Sequence, residues 1–209
     1  MEFDRPAPGE ELNEGDTPTE PRQAASVIVV RGAGDELEVL LVQRTPEARF
    51  MGGFWVFPGG AVDAHEGEGD EAHRLAAVRE LEEEAGVQGI SPAELVKFSQ
   101  WITPRQVEIR FDTHFFVAHL PDGATVTVDG SEIVDHRWYS PSQALDAHRS
   151  DELALVFPTI KHLEQLEAFG SAHELIAHAE SEDVVPVEPR VLIEGEVARV
   201  VLPGEPGYD

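Results

Sequence analysis

Apolar positions along the chain fall into several short runs and one longer segment with helical spacing, and the two patterns predict different elements. Residues 24–30, AASVIVV, form a β-branched run suited to a buried strand. The polar RGAGDE after it reads as a turn, and LEVLLVQR over 37–44 as a second strand, so the two make a hairpin. A loop rich in Arg, Gly and aromatics, 45–53, leads into FWVFPGG, a short strand that ends at Pro58, Gly59 and Gly60. Residues 70–85 are the clearest helix, closed by Gly86, the residue type that stops a helix most readily. Further strands are expected at LVKFSQWI, RFDTHFFVAHL, ATVTV and EIVDHRWYS. Ser140-Pro141 opens a helix over SQALDAH, another runs over 157–169, and a shorter one spans 173–179. The end, PRVLIEGEVARVVLPGEPGYD, reads as two strands joined at Glu194-Gly195 and then a Pro/Gly-rich tail.

No internal repeat is visible. One α/β domain with a mixed sheet and flanking helices accounts for the order of elements. Residues 1–23 have few bulky apolar side chains and read as a disordered acidic tail; 24–180 is the domain; 181–209 is a hairpin and tail packed on it.

Composition narrows the function. The chain has 209 residues and is 41% hydrophobic, enough for a real core. Forty-one acidic residues face fifteen basic ones, a formal net charge of −26, and Lys97 and Lys161 are the only lysines. That balance argues against a protein that grips nucleic acid, and against polybasic attachment to a membrane. The acid excess suits plain solvation and also suits life in concentrated salt. With no cysteine there is no disulfide and no thiol nucleophile. No apolar run approaches the roughly 20 residues of a membrane span. The N-terminus lacks the basic start and apolar stretch of a signal peptide, so a cytoplasmic protein is expected.

The chemistry concentrates in 59–87. With Glu80 at 0° on a helical wheel, Glu83 lies at about 300° and Glu84 at about 40°, so three carboxylates share a face. Leu75, Val78 and Ala85 fall at about 220°, 160° and 140°, which predicts an apolar face opposite the carboxylates. Like charges at these spacings repel. The cluster is either a solvated acidic face or a seat for a hard divalent cation such as Mg²⁺, which takes oxygen ligands and binds with phosphates.

Residues 79–87, RELEEEAGV, fit R-E-U-x-E-E-x-G-U with U aliphatic. This resembles the second half of the Nudix box, and the chain is identified as a member of the Nudix hydrolase superfamily. Glu71, eight residues before Arg79, matches the first Glu of the box, and Gly59-Gly60 supplies its opening Gly. The usual spacing is G-x5-E-x7-R-E, whereas ten residues separate Gly60 from Glu71. Glu66 would restore G-x5-E but stands further from Arg79 in sequence. Glu71 is preferred, with AVDAHEGEGD as a loop insertion.

The resemblance implies an α/β/α sandwich around a mixed β-sheet. It also implies hydrolysis of a small nucleoside diphosphate linked to a further group, with Mg²⁺ or Mn²⁺ on Glu80, Glu83 and Glu84 and with Arg79 orienting the carboxylates. Glu132 is a candidate general base from outside the box, or equally an acid in a turn. Members of the superfamily often dimerise, so a homodimer is a further expectation.

The upstream run LLVQRT, Arg49, Gly53 and FPGG is similar to LLTxR(S/A)x3Rx3Gx3FPGG, the mark of the coenzyme A diphosphatase branch. Val42 and Thr45 depart from it. Arg44 and Arg49, with Gly59 and Gly60, are the substrate-binding candidates. QWITP, RFDTHFFVAHL and LVFPT resemble the acyl-coenzyme A branch, whose box also carries an insertion; Phe111, Phe115, Val117 and Trp138 read first as packing. The alternatives are ADP-ribose, a nucleotide sugar, a dinucleotide or a capped RNA end, and, in another class, a non-catalytic nucleotide sensor. A sensor would show a degraded box, and here Arg79, Glu80, Glu83 and Glu84 all survive. None of the nine histidines, including His65, His73, His173 and His178, sits in a zinc-like pattern; all are assigned to surface or packing.

Overall fold

The computed structural model describes residues 2–3, 11–13, 17–32, 36–194 and 197–208. Its strands are β1 (Glu2–Phe3), β2 (Arg22–Arg31), β3 (Glu38–Arg44), β4 (Trp55–Val56), β5 (Gly59–Ala61), β6 (Val96–Ile102), β7 (Phe111–His119), β8 (Ile133–Tyr139), β9 (Arg190–Glu194) and β10 (Val197–Val201). The helices are α1 (Gly69–Ala85), α2 (Pro141–Arg149), α3 (Phe157–Leu166) and α4 (Ala172–Ser181).

β2 is the centre of a seven-stranded mixed sheet. It runs parallel to β7 from Arg22↔Phe111 to Val30↔His119. At its end it turns into β3, antiparallel, at Val30↔Val39 and Arg31↔Glu38. At its start it takes β5, antiparallel, at Ala24↔Ala61 through Ser26↔Gly59. β6 extends the sheet beyond β7, and β4 and β8 pair with β3. The expected hairpin is therefore present, and β2 leaves it to pair with strands far along the chain. β9, β10 and β1 make a separate three-stranded sheet.

The continuous apolar run of β2 has its cause in the layers around it. Ala25, Val27 and Val29 point to the α1 side, with Leu40, Val42 and Phe116. Ile28 and Val30 point the other way, onto Leu145, Ile160, Leu163 and Leu175 of α2, α3 and α4. Helices thus cover both faces, as expected of an α/β/α sandwich.

Three expectations change. ATVTV forms no strand; Thr127 N instead donates to the Ala85 carbonyl (2.8 Å), so the segment serves the end of α1. The face of α1 that is buried carries Ala72, Ala76, Ala77, Leu81, Glu84 and, as expected, Ala85, whereas Leu75 is 39% exposed. Side-chain bulk points to Leu75, but the small alanines let α1 approach the sheet, and the burying face includes one of the carboxylates. The described residues of 1–23 are also seated on the fold. Leu12 bridges Val107, Asn13 N donates to the Gln106 carbonyl (2.8 Å) and Thr19 Oγ1 to the Glu108 carbonyl (2.6 Å). Backbone pairing, which needs no apolar side chain, holds this segment. Residues 4–10 and 14–16 of that stretch, and the Gly195 of the terminal turn, lie outside the described residues. No described helix is long and apolar enough to cross a membrane.

His162 of α3 is fully buried among Phe57, Phe98, Trp101 and Phe115. Its Nδ1–H donates to the Pro158 carbonyl (2.7 Å), so Nε2 accepts from the Ser99 hydroxyl (2.6 Å) and the ring is neutral. Burial, against the Pro158 contact, pulls its pKa from 6.5 down to about 4. The folded state therefore binds fewer protons than the unfolded chain between these values. This stability is fully present above pH 6.5 and drains away as pH falls toward 4, by on the order of a few kcal/mol. Urea unfolding at pH 5 and pH 7 should show the drop, and His162→Phe should flatten part of it. An unchanged pH slope in that variant would remove His162 as the cause.

Candidate functional site

Gly59 and Gly60 bring the box carboxylates against the sheet. A Cβ on Gly60 would stand 2.4 Å from Glu80 Oε1, and one on Gly59 would stand 2.4 Å from the Ala25 carbonyl. A side chain on Gly60 would displace the Glu80 carboxylate, and one on Gly59 would collide with the backbone of β2. With both absent, the Gly59 N–H donates to Glu84 Oε2 (2.9 Å). α1 stops where the pattern placed its end: Gly86 adopts φ 64°, ψ 12° and its N–H donates to the Glu82 carbonyl.

Arg79 organises the acidic cluster. Its Nη1 donates to Glu80 Oε1 (2.7 Å) and Glu83 Oε2 (3.1 Å), and its Nη2 to the Ala61 carbonyl (3.0 Å). Nε and Nη2 engage Glu66 at 2.9 and 3.3 Å. Glu66, and not Glu71, is thus the acid that meets Arg79. Glu71 is exposed in the first turn of α1 and has no ion pair among the described residues. The insertion falls between Glu66 and the helix. A 3-10 turn over Ala64–Glu66, capped by Asp63, turns the Glu66 carboxylate back toward Arg79 although it is remote in sequence. Despite partial burial, the hydrogen bond from Arg79 lowers the pKa of Glu66. The same partners raise that of Arg79.

Glu84 is 5% exposed. Burial raises its pKa to about 7, against the Gly59 N–H, with the charges of Glu80 and Glu132 pushing further and that of Arg44, 3.7 Å away, pulling back. Burial also raises the pKa of Glu80, which Arg79 opposes and Glu83 and Glu132 reinforce. Glu132 comes from a turn far along the chain. Asp129 accepts from the backbone N–H groups of Ser131, Glu132 and Ile133 (2.8–2.9 Å), and Thr45 N donates to the Glu132 carbonyl (2.7 Å).

Glu80, Glu84, Glu132, Gly59, Gly60 and Arg44 all border one cavity of about 680 Å³. Arg22, which sequence reasoning passed over, borders it too. Its signal was faint, a lone arginine before an apolar strand. Arg49 is exposed on the 45–54 loop and does not border the cavity. Phe111 lines it, while Phe115 packs in the core as expected and also borders it; Val117 is core, and Trp138 packs under the Arg31 guanidinium at 4.1 Å.

The donor set fits a hard divalent cation in its chemistry: two carboxylates whose pKa is raised by burial and mutual repulsion, beside a glycine that leaves room. Among the described residues, no three acidic or imidazole side chains converge on one point as they stand. Glu80 and Glu83 are turned onto Arg79, and a rotation of Glu83, whose side chain is 61% exposed, would free it.

The fold is similar to the crystal structure of a NUDIX hydrolase from Alicyclobacillus acidocaldarius, with TM-score 0.67 and 27% identity over 76% of this chain and 96% of that one. The chain belongs to the NUDIX family: residues 20–158 match the NUDIX domain. It is 27% identical to a nudix hydrolase of Caenorhabditis elegans over 69% of its length. It is 31% identical to the Homo sapiens acyl-coenzyme A diphosphatase NUDT19 over 54%. It spans 60% of the worm protein and 32% of the human one.

Glu66→Gln should destabilise the fold by about 1–3 kcal/mol, because it weakens a charge-assisted bond to a half-buried guanidinium. Glu71→Gln should stay within about 0.5 kcal/mol. Equal losses in chemical denaturation would return the box acid to Glu71.

Proposed function

We propose that this chain is a divalent-metal-dependent hydrolase that cleaves the diphosphate of coenzyme A or acyl-coenzyme A. Water adds across the P–O–P linkage, leaving 3′,5′-ADP and 4′-phosphopantetheine or its acyl form. The observation that carries the reading is the single cavity with two characters. Glu80, Glu84, Glu132 and Arg44 line it together with the apolar Trp101, Phe111, Phe115 and Phe157. A nucleoside diphosphate bearing a long, less polar arm matches that mixed lining.

Glu80, Glu83 and Glu84 would hold the metal, Mg²⁺ or Mn²⁺, which when bound supplies charge neutralisation of the phosphates and a lowered pKa for the attacking water. Arg79 holds the carboxylates in place and does not face the substrate. Arg44, already 3.7 Å from Glu84, is within reach of a phosphate at the carboxylates, and Arg22 borders the same space. Glu132 accepts the proton of the attacking water. The apolar walls keep bulk water from the diphosphate, so charges there act at greater strength. Support for the coenzyme A branch comes from Arg44 in its motif, from the cavity wall and from the likeness to the human diphosphatase.

The test is a substrate panel with Mg²⁺ or Mn²⁺: coenzyme A, acyl-coenzyme A, ADP-ribose, NADH, dinucleoside polyphosphates and capped RNA. Coenzyme A species should be cleaved best. Cleavage of ADP-ribose with none of coenzyme A would overturn the substrate. Glu83→Gln and Glu84→Gln should each reduce kcat by roughly two orders of magnitude or more with the fold intact. Mg²⁺ should raise the melting temperature of the wild type and do so much less in these variants. Arg44→Ala should raise KM several-fold, whereas Arg49→Ala should change it little.

A further inference from the structure

The apolar part of the cavity is not completed by the NUDIX domain alone. Leu12, which precedes the matched residues 20–158, and Val191 and Val200, which follow them, border the same cavity as Trp101, Phe111 and Phe115. These flanking segments are fixed in place. Leu12 bridges Val107, and Glu108 N donates to the Glu11 carbonyl (2.9 Å). On the other side Val187 N donates to the Gln100 carbonyl and Ile102 N to the Val187 carbonyl, both 2.8 Å, so the C-terminal segment pairs along β6.

One side chain ties the two flanks together. Arg110 is 7% exposed, and its guanidinium donates to the Thr103 carbonyl through Nε (3.0 Å), to the Thr19 carbonyl through Nη1 (2.7 Å) and to Glu188 Oε1 through Nη2 (2.7 Å). A guanidinium this deep is tolerable only with such a set of acceptors, so the N-terminal segment, the loop before β7 and the C-terminal segment are locked together. The wall is mostly apolar, with Glu11 and Thr103 also bordering it, and Leu12 keeps 43% of its surface open. Among the described residues no neighbouring side chain covers it fully, and it borders the same cavity as the carboxylates.

We propose that the flanking segments are the specificity device of this enzyme: Leu12, Val191 and Val200 complete an apolar channel that takes the acyl chain and favours acyl-coenzyme A over free coenzyme A. This rests on the proposed diphosphatase reading and deepens it. The free thiol end of coenzyme A gives these walls little to bury, whereas each acyl methylene lost from water strengthens binding roughly fourfold. Arg110 is the positioning residue that keeps both flanks on the channel.

The experiment measures kcat and KM for free, acetyl-, hexanoyl- and lauroyl-coenzyme A with the full chain. KM should fall steeply with chain length while kcat changes little. Leu12→Asp and Val191→Asp should each raise KM for lauroyl-coenzyme A at least tenfold and leave kcat/KM for free coenzyme A unchanged. Leu12 is partly open, so its variant retains the fold if Val191→Asp does not. Without metal, lauroyl-coenzyme A should shift the tryptophan emission of the wild type and not that of Trp101→Phe. Equal KM values along the series, or flank variants that weaken free and acylated substrates alike, would overturn the proposal. If no coenzyme A species is cleaved, the diphosphatase reading has failed; sodium laurate then tests the channel alone, and an unmoved Trp101 signal overturns it as well.

Discussion

The Arg79 guanidinium gathers acceptors from three parts of the chain: Glu66 from the inserted loop, the Ala61 carbonyl from β5, and Glu80 and Glu83 from α1. Without a cation there, α1 would press a row of carboxylates toward a buried wall with nothing to offset their repulsion. The guanidinium suits the position because its planar fork presents five donors in fixed directions. Glu84, which Arg79 does not reach, shows the alternative. It depends on a backbone N–H and a more distant arginine, and its pKa rises to about 7. The acid cluster is thus divided into a part held directly by Arg79 and a part, Glu84, with weaker compensation.

Much of this was legible in the sequence. The spelling of 79–87 gave the helix, its stop and its three carboxylates, because capping and the 3.6-residue repeat are local properties. The layers followed from the alternation of apolar runs and helical segments. What misled was any inference that needed distance in space. Glu71 had the right count along a helix to Arg79, but the inserted residues form their own 3-10 turn and deliver Glu66 instead. The helix wheel put bulk opposite the acids, yet close packing against β2 rewards small side chains, so Ala76 and Ala77 face the sheet and Leu75 faces out.

The cavity was the least legible part. Its walls come from strands, loops and both flanks, and no window of sequence contains them together. Phe111 and Phe115 look the same in a sequence whether they fill a core or line a channel. Arg110 carries no motif at all; its importance lies in three acceptors that the fold assembles around it.

The central position of β2 has a consequence for how the molecule comes into being. Its parallel partner β7 is synthesised about ninety residues later, and each face of β2 awaits a helix from a different stretch of chain. A sheet centred on so distant a pairing closes a long loop before its contacts can compensate the lost chain entropy. A nascent chain therefore holds a largely apolar strand, with β3 and β5 beside it and α1 for one face only, until the second half emerges. The heavy negative charge that surrounds it keeps such half-made chains apart during that interval.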